Sequence, residues 1–156
     1  MRNPMSDIAT NRKAFHEYHI LDRFEAGIEL KGTEVKSIRA GFVNIGSAFA
    51  RVEGAQIFLH DADIQPYARA SHEQHEAKAT RRLLLHKQEI AKLFALCSVK
   101  GHTLVALRMY WKNGRVKLEL GVGKGKEARD KRDDLKKRAT DRETDREISR
   151  FNRKHG

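Results

Sequence analysis

Hydrophobic and polar residues alternate most clearly between Thr103 and Val122. Val105, Leu107, Met109 and Trp111 fall at every second position. After Asn113-Gly114 the same holds for Val116, Leu118, Leu120 and Val122, with Lys117 and Glu119 between them. A period of two belongs to a strand with one buried face, and Asn-Gly supplies two residues that accept φ > 0. The stretch therefore predicts a β-hairpin with a continuous apolar face. A second hairpin is expected in SAFARVEGAQIFLHDADI, turning near Gly54. EYHILDRFEAGIEL predicts one long strand or two short ones, broken near Asp22-Arg23.

Two stretches change to a helical period. Ile90, Leu93, Phe94 and Cys97 stand at i, i+3, i+4 and i+7, and Gly101 is placed to stop that helix. GTEVKSIRAG predicts a shorter helix, capped by Thr33, with Val35 and Ile38 as its apolar stripe and Gly41 ending it in the left-handed region. About six strands, two or three helices and no strand–helix–strand alternation predict a mainly β fold, a small antiparallel β-barrel. SHEQHEAKATRR, before Leu83, is polar and aperiodic and reads as a mobile loop.

Composition adds a partner. The 156 residues carry 32 Lys and Arg against 21 Asp and Glu, a formal charge of +11. An excess of that size suits a polyanion, RNA foremost. The one cysteine, Cys97, has no internal bridging partner, which fits a reducing compartment. MRNPMSDIATNRKAFHEY has no apolar run of a secretory signal, and no stretch has the roughly 18 apolar residues of a membrane span. A cytoplasmic, monomeric protein with no membrane partner is expected, starting at Met1 or Met5.

The charge is densest at the end. Residues 1–123 form the expected body, and residues 124–156 a tail with 13 basic and 8 acidic side chains. KGKEARDKRDDLKKR holds a single large apolar residue, Leu135. Exposed charge pairs give a helix only about 0.2–0.5 kcal/mol each, too little to order it alone. The tail is expected to be disordered by itself and helical against a polyanion.

Enzyme chemistry finds little support. His16 and His19, and His72 and His75, are H-x-x-H pairs without the further ligands a zinc ion needs. Glu25 with Glu29, and Asp61 with Asp63, are paired carboxylates of the kind exposed strand ends often carry. No nucleophile elbow, P-loop or deaminase motif occurs. No cofactor or metal is implied. Basic and aromatic residues on expected loops and helix surfaces, Tyr67 with Arg69, Arg81 with Arg82 and Lys36 with Arg39, offer phosphate contacts instead.

Three blocks then narrow the reading. NRKAFHEYHILDRFEAGIELKGTEVKSIRAG, RRLLLHKQEI and YWKNGRVKLELGVGKGKEARDKR follow one another across residues 11 to 138. Together they resemble the signature blocks of the small protein B family, the transfer-messenger-RNA-binding proteins of bacterial trans-translation. The resemblance implies an oligonucleotide-binding-like barrel and no enzyme activity. It implies binding to the tRNA-like domain of transfer-messenger RNA, with elongation factor Tu joined through the RNA. On a stalled ribosome such a protein stands in for the anticodon arm.

The family's RNA-binding positions match Asn11, Glu25, Leu84, His86 and Gly125, with Arg12 and Lys13 beside the first and Lys124 and Lys126 around the last. For Leu84 the plain alternative is core packing. The resemblance also gives the tail a place, helical in the empty messenger channel of the small subunit. Arg129, Asp130, Lys131 and Arg132 match its decoding-centre segment. Arg129 departs from the aromatic or histidine often found there, although a guanidinium plane also stacks. Two other readings are a small RNA-processing nuclease with an acidic metal site and a structural ribosomal protein.

Overall fold

The computed structural model describes residues 5–66, 75–127 and 131–132. The chain divides into two units, Met1–Gly125 and Lys126–Gly156. In the first, β1 (Met5–Thr10), α1 (Arg12–Glu17), β2 (Tyr18–Ile28) and α2 (Gly32–Arg39) lead into β3 (Val43–Asn44), β4 (Phe49–Glu53), β5 (Gln56–His60) and β6 (Asp63–Ile64). There follow β7 (Arg81–Leu84), α3 (Lys87–Cys97), β8 (His102–Lys112) and β9 (Arg115–Gly125). The last strand thus ends two residues beyond the expected body.

The main sheet runs β1-β8-β4-β5-β7-β2-β9, every pairing antiparallel, and β9 also pairs with β8. Six strands therefore close into a ring, with β1 added outside it along β8 and a two-stranded β3-β6 ladder beside it. Ala26, Ile57, Leu59, Leu83, Met109, Leu118 and Leu120 lie fully buried in the main core, with Leu93 of α3 and Ile38 of α2 closing over it.

Both expected hairpins form. β8 and β9 turn on Asn113 and Gly114, at φ 52° and 74°. β4 and β5 turn at Gly54. The alternation of Val116, Leu118, Leu120 and Val122 holds, and all four point into the main core. That of β8 does not hold throughout. Its register shifts between Ala106 and Arg108. Leu104, Ala106, Met109 and Trp111 face the main core, whereas Val105 and Leu107 face a separate outer cluster with Ala14.

β2 is a single strand, and the expected break is a matching register shift between Ile20 and Asp22. Past it, Tyr18 and Ile20 join the same outer cluster. Gly121 and Gly123 make room there. A Cβ at Gly121 would lie 2.7 Å from Leu107 Cδ1, and one at Gly123 would lie 3.0 Å from the Tyr18 Cβ. The paired shifts thus build a second, small apolar seat on the outside of the ring, and α1 occupies it.

α1 is the helix that periodicity did not announce. Six residues are too short to show a stripe. Asn11 fixes it: the Oδ1 accepts from Ala14 N at 3.0 Å, the Nδ2 donates to Ala106 O at 2.8 Å and the backbone N donates to Leu107 O at 2.8 Å. α2 starts two residues earlier than a Thr33 cap implies, with Lys31 as its N-cap. Its N-terminus is closed by Glu34, whose Oε1 accepts from Lys31 N at 2.8 Å, and not by Thr33. Gly41 ends it at φ 84° as expected.

The second half of the expected mobile loop is also fixed. His75 is buried between Thr33 Oγ1 (3.0 Å) and Ile64 O (2.8 Å). Arg81 is buried as well, paired through Nε with Glu34 and donating from Nη1 to Ala62 O at 2.7 Å. A fully ordered guanidinium with three or more partners belongs to the core, so Arg81 is withdrawn from the phosphate-binding candidates. Ser71 to Gln74 lie outside the described residues.

In the second unit Lys131 N donates to Glu127 O at 3.2 Å, and Lys131 and Arg132 are helical.

Candidate nucleic-acid interface

β2 carries one group of candidate residues at each end. On its outer face Glu25 and Gly27 stand two positions apart, opposite the inward Phe24, Ala26 and Ile28. Gly27 pairs with Leu84 on β7. A Cβ at Gly27 would lie 3.3 Å from the Leu84 Cβ, so the glycine lets Leu84 lean over β2. Leu84 is 48% exposed, which removes the core-packing reading. Arg82, two positions before it, is exposed on the same face. His86 is the N-cap of α3, its ring exposed and its backbone N donating to Glu89 Oε1 at 3.2 Å. Glu25, Leu84 and His86 are therefore brought together.

Nine residues along β2, about 30 Å at strand spacing, Tyr18 pairs with Gly125. Lys124 is exposed beside it, pairing with His19 and His102. Tyr18 also ends α1, whose first turn exposes Arg12 and Lys13. An open cleft of about 530 Å³ runs between α1 and the starts of β4 and β8, lined by Lys13, Tyr18, Ser47 and Phe49 among others. Asn11 belongs to this group by position, but its amide is spent on the cap and on Ala106. Toward a ligand it can act by holding α1. Gly125 has no positive φ and nothing within 4 Å of a Cβ, so no conformational need explains a glycine there.

The outer face of β2, β9, β8 and β1 is a chain of alternating charges. Arg23 pairs with Glu119 at 3.2 Å, Glu119 with Arg108 at 3.2 Å, and Arg108 with Asp7 at 3.0 Å. Glu25 stands directly opposite Glu119. Like charges facing each other are costly, and here each is neutralised separately. Glu25 Oε2 accepts from the Tyr110 hydroxyl at 2.6 Å, and both its oxygens accept from Lys112 Nζ at 3.1 and 3.2 Å. The Tyr110 bond leads in holding the Glu25 carboxyl below its ordinary range, and Lys112 and Lys117 add to it. Burial, then Glu25, pushes the Tyr110 phenol up.

Tyr110 and Lys112 escaped sequence reading because both lay inside a strand read for its apolar face. The signal available was their spacing: two positions apart, they share the face opposite Met109. Of the other candidates, Lys36 and Arg39 are exposed on α2, Arg39 lying 5.8 Å over the Trp111 ring. Lys126, the first residue of the second unit, is half-buried. Tyr67, Arg69, Arg129 and Asp130 lie outside the described residues. Among the described residues no three His, Cys, Asp or Glu side chains are grouped to hold a metal, and no helix is long and apolar enough to cross a membrane.

Comparison with known proteins agrees over most of the chain. The family model described as SmpB protein matches residues 8–150. The SsrA-binding protein of Carboxydothermus hydrogenoformans is 50% identical over 141 residues, 90% of this chain and 95% of its own. That of Geobacter sulfurreducens is 51% identical over 136 residues, 87% and 89% of the two chains. A solved chain described as "tmRNA-SmpB: a journey to the center of the bacterial ribosome" superposes with a TM-score of 0.66 at 43% identity, covering 81% of this chain and 87% of its own.

Proposed function

Because the chain belongs to the SmpB family, we propose that it works as the RNA-binding adaptor of ribosome rescue. It binds transfer-messenger RNA, also called SsrA, acts in trans-translation and is not an enzyme. The closed ring, read as an oligonucleotide-binding-like barrel, holds the tRNA-like domain along the outer face of β2. Glu25, Leu84 and His86 form one contact region, and Arg12, Lys13, Lys124 and Gly125 form the other. Exposure of Leu84 is the observation that carries this placement. A core position would bury an apolar residue in that strand, whereas a surface leucine beside a histidine and a carboxylate offers a base face something to rest on.

The remainder of the reading concerns the ribosome. The RNA, charged with alanine and carried by elongation factor Tu, brings the protein to ribosomes stalled in the cytoplasm. The ring then fills the place of an anticodon arm. Residues 124–156 enter the empty messenger channel, where ribosomal RNA phosphates supply the order that exposed charge pairs cannot. Arg129, Asp130, Lys131 and Arg132 act at the decoding centre. The free protein is a monomer.

Sequencing the RNA that co-purifies with the chain tests the proposal. One small RNA with a tRNA-like end is expected. A stoichiometric complement of ribosomal RNA in unstalled ribosomes would favour a structural ribosomal role instead. Divalent-metal-dependent cleavage of RNA by the pure chain would favour the nuclease.

A further inference from the structure

Glu25 and Lys112 form a donor and an acceptor side by side at the surface, and we propose that this pair binds a ribose 2′-hydroxyl of the RNA. The inference rests on the RNA-binding reading above and adds what the region recognises. Both side chains are a little more than one-third exposed, Lys112 at 38% and Glu25 at 37%. Both have bonding capacity left. Among the described residues, Oε2 takes two donors, Tyr110 and Lys112, while Oε1 takes Lys112 alone. A carboxylate oxygen accepts two, and an ammonium has three protons to give. One lone pair on Oε1 and at least one proton on Nζ therefore remain, about 3.2 Å apart.

The charge of the pair decides between ligands. A phosphate drawn to Lys112 would meet the Glu25 carboxylate beside it, and attraction and repulsion would largely cancel. A neutral hydroxyl suffers no such conflict. Its oxygen accepts from Nζ while its proton goes to Oε1, so one atom satisfies both groups. The 2′-hydroxyl is both donor and acceptor, and it is the group that separates RNA from DNA.

Tyr110 is the positioning residue. It is 2% exposed, with the Arg108 guanidinium 4.9 Å over its ring, and its hydroxyl reaches across β9 to hold Oε2. Glu25 is thereby fixed from below and Lys112 from the side, so neither needs to be ordered when the hydroxyl arrives.

Interference mapping tests this on the full chain. The tRNA-like half of transfer-messenger RNA is transcribed with sparse 2′-deoxy phosphorothioate nucleotides, bound, and the bound pool is cleaved and read. The wild-type chain should disfavour 2′-deoxy at one nucleotide by about tenfold, the size set by hydrogen bonds to charged groups. In Glu25→Ala and in Lys112→Met that interference should vanish while all others persist. Tyr110→Phe, which keeps the buried ring, should weaken it. Circular dichroism confirms the fold of each variant, and either of the first two suffices. Variants that bind the RNA with the wild-type interference pattern overturn the inference and leave the RNA-binding reading intact. So does a lost interference that appears with base analogues and not with 2′-deoxy nucleotides, since the pair would then read a base edge. A wild-type chain that fails to bind this RNA at all overturns the function itself.

Discussion

The Tyr110 hydroxyl and the Glu25 carboxylate meet at 2.6 Å although they stand on strands separated by β9. The bond lowers the pKa of one partner and raises that of the other, which makes it visible in titration. Glu25 starts from an ordinary value of 4.5 and is depressed. Its contribution to stability is complete above that pH and is lost as pH falls through its folded pKa. Tyr110 starts from 10.0 and is raised. Its contribution is complete below pH 10 and is lost as pH climbs through its folded pKa. Phenolate absorbance between pH 9 and 11 should thus be the same in wild type and Tyr110→Phe, because the missing tyrosine ionises above that window. A loss of one-third of the signal, one of three tyrosines, would show that the phenol is free.

Gly121 and Gly125, four residues apart on β9, should answer substitution in opposite ways. Gly121→Ala drives a methyl against Leu107 Cδ1 at 2.7 Å. It should cost about 1–3 kcal/mol of stability by overpacking. Gly125→Glu meets nothing within the protein. It should melt within a degree or two of wild type and lose RNA binding, since only an approaching RNA is left to need the space. Normal binding by Gly125→Glu would remove this residue from the interface.

Glu34 and Arg81 form a buried pair whose side chains are 4% and 2% exposed. Glu34→Ala leaves the guanidinium uncompensated and should cost about 3–5 kcal/mol in urea denaturation. Glu34→Leu combined with Arg81→Met should recover much of that loss. If Arg81→Met alone left the midpoint unchanged, the pair would not be fastening α2 to β7.

Residues beyond Lys126 should matter for rescue and not for RNA capture. A chain ending at Lys126 should bind transfer-messenger RNA within tenfold of the full chain, about 1.4 kcal/mol. Alanine at Asp130, Lys131 and Arg132 together should leave that affinity unchanged and block peptide tagging on stalled ribosomes. Full tagging by the triple variant would remove the segment from the decoding centre. A long message downstream of the stall should compete with the tail for the channel.

Sequence alone revealed the hairpins, because Asn113-Gly114 and Gly54 require special backbone angles that few residues tolerate. It revealed the end of α2 at Gly41 for a similar reason, and α3 by the period of its apolar positions, although Phe94 of that stripe is exposed and the helix ends at Cys97, short of Gly101. It misread β8, since one shifted residue moves Val105 and Leu107 to the other face while composition stays apolar. It also read Arg81 as surface cation. A buried guanidinium differs from an exposed one only in its partners, and Glu34 lies 47 positions away. Among the site residues, Glu25 and Leu84 came from family resemblance. Their grouping came from the β2–β7 pairing, which no local pattern encodes.

The paired register shifts in β2 and β8 give the ring and the seat of α1 a shared backbone with separate packing. Among the described residues the seat holds Ala14, Val105 and Leu107 as buried apolar groups, against twenty in the main core. Opening it would cost little compared with opening the ring. Arg12 and Lys13 are therefore carried by a helix seated on few apolar groups and held by Asn11, while Glu25 and Leu84 are built into the frame. A partner that touched both places would meet a deeply cored frame at one and a lightly cored fitting at the other.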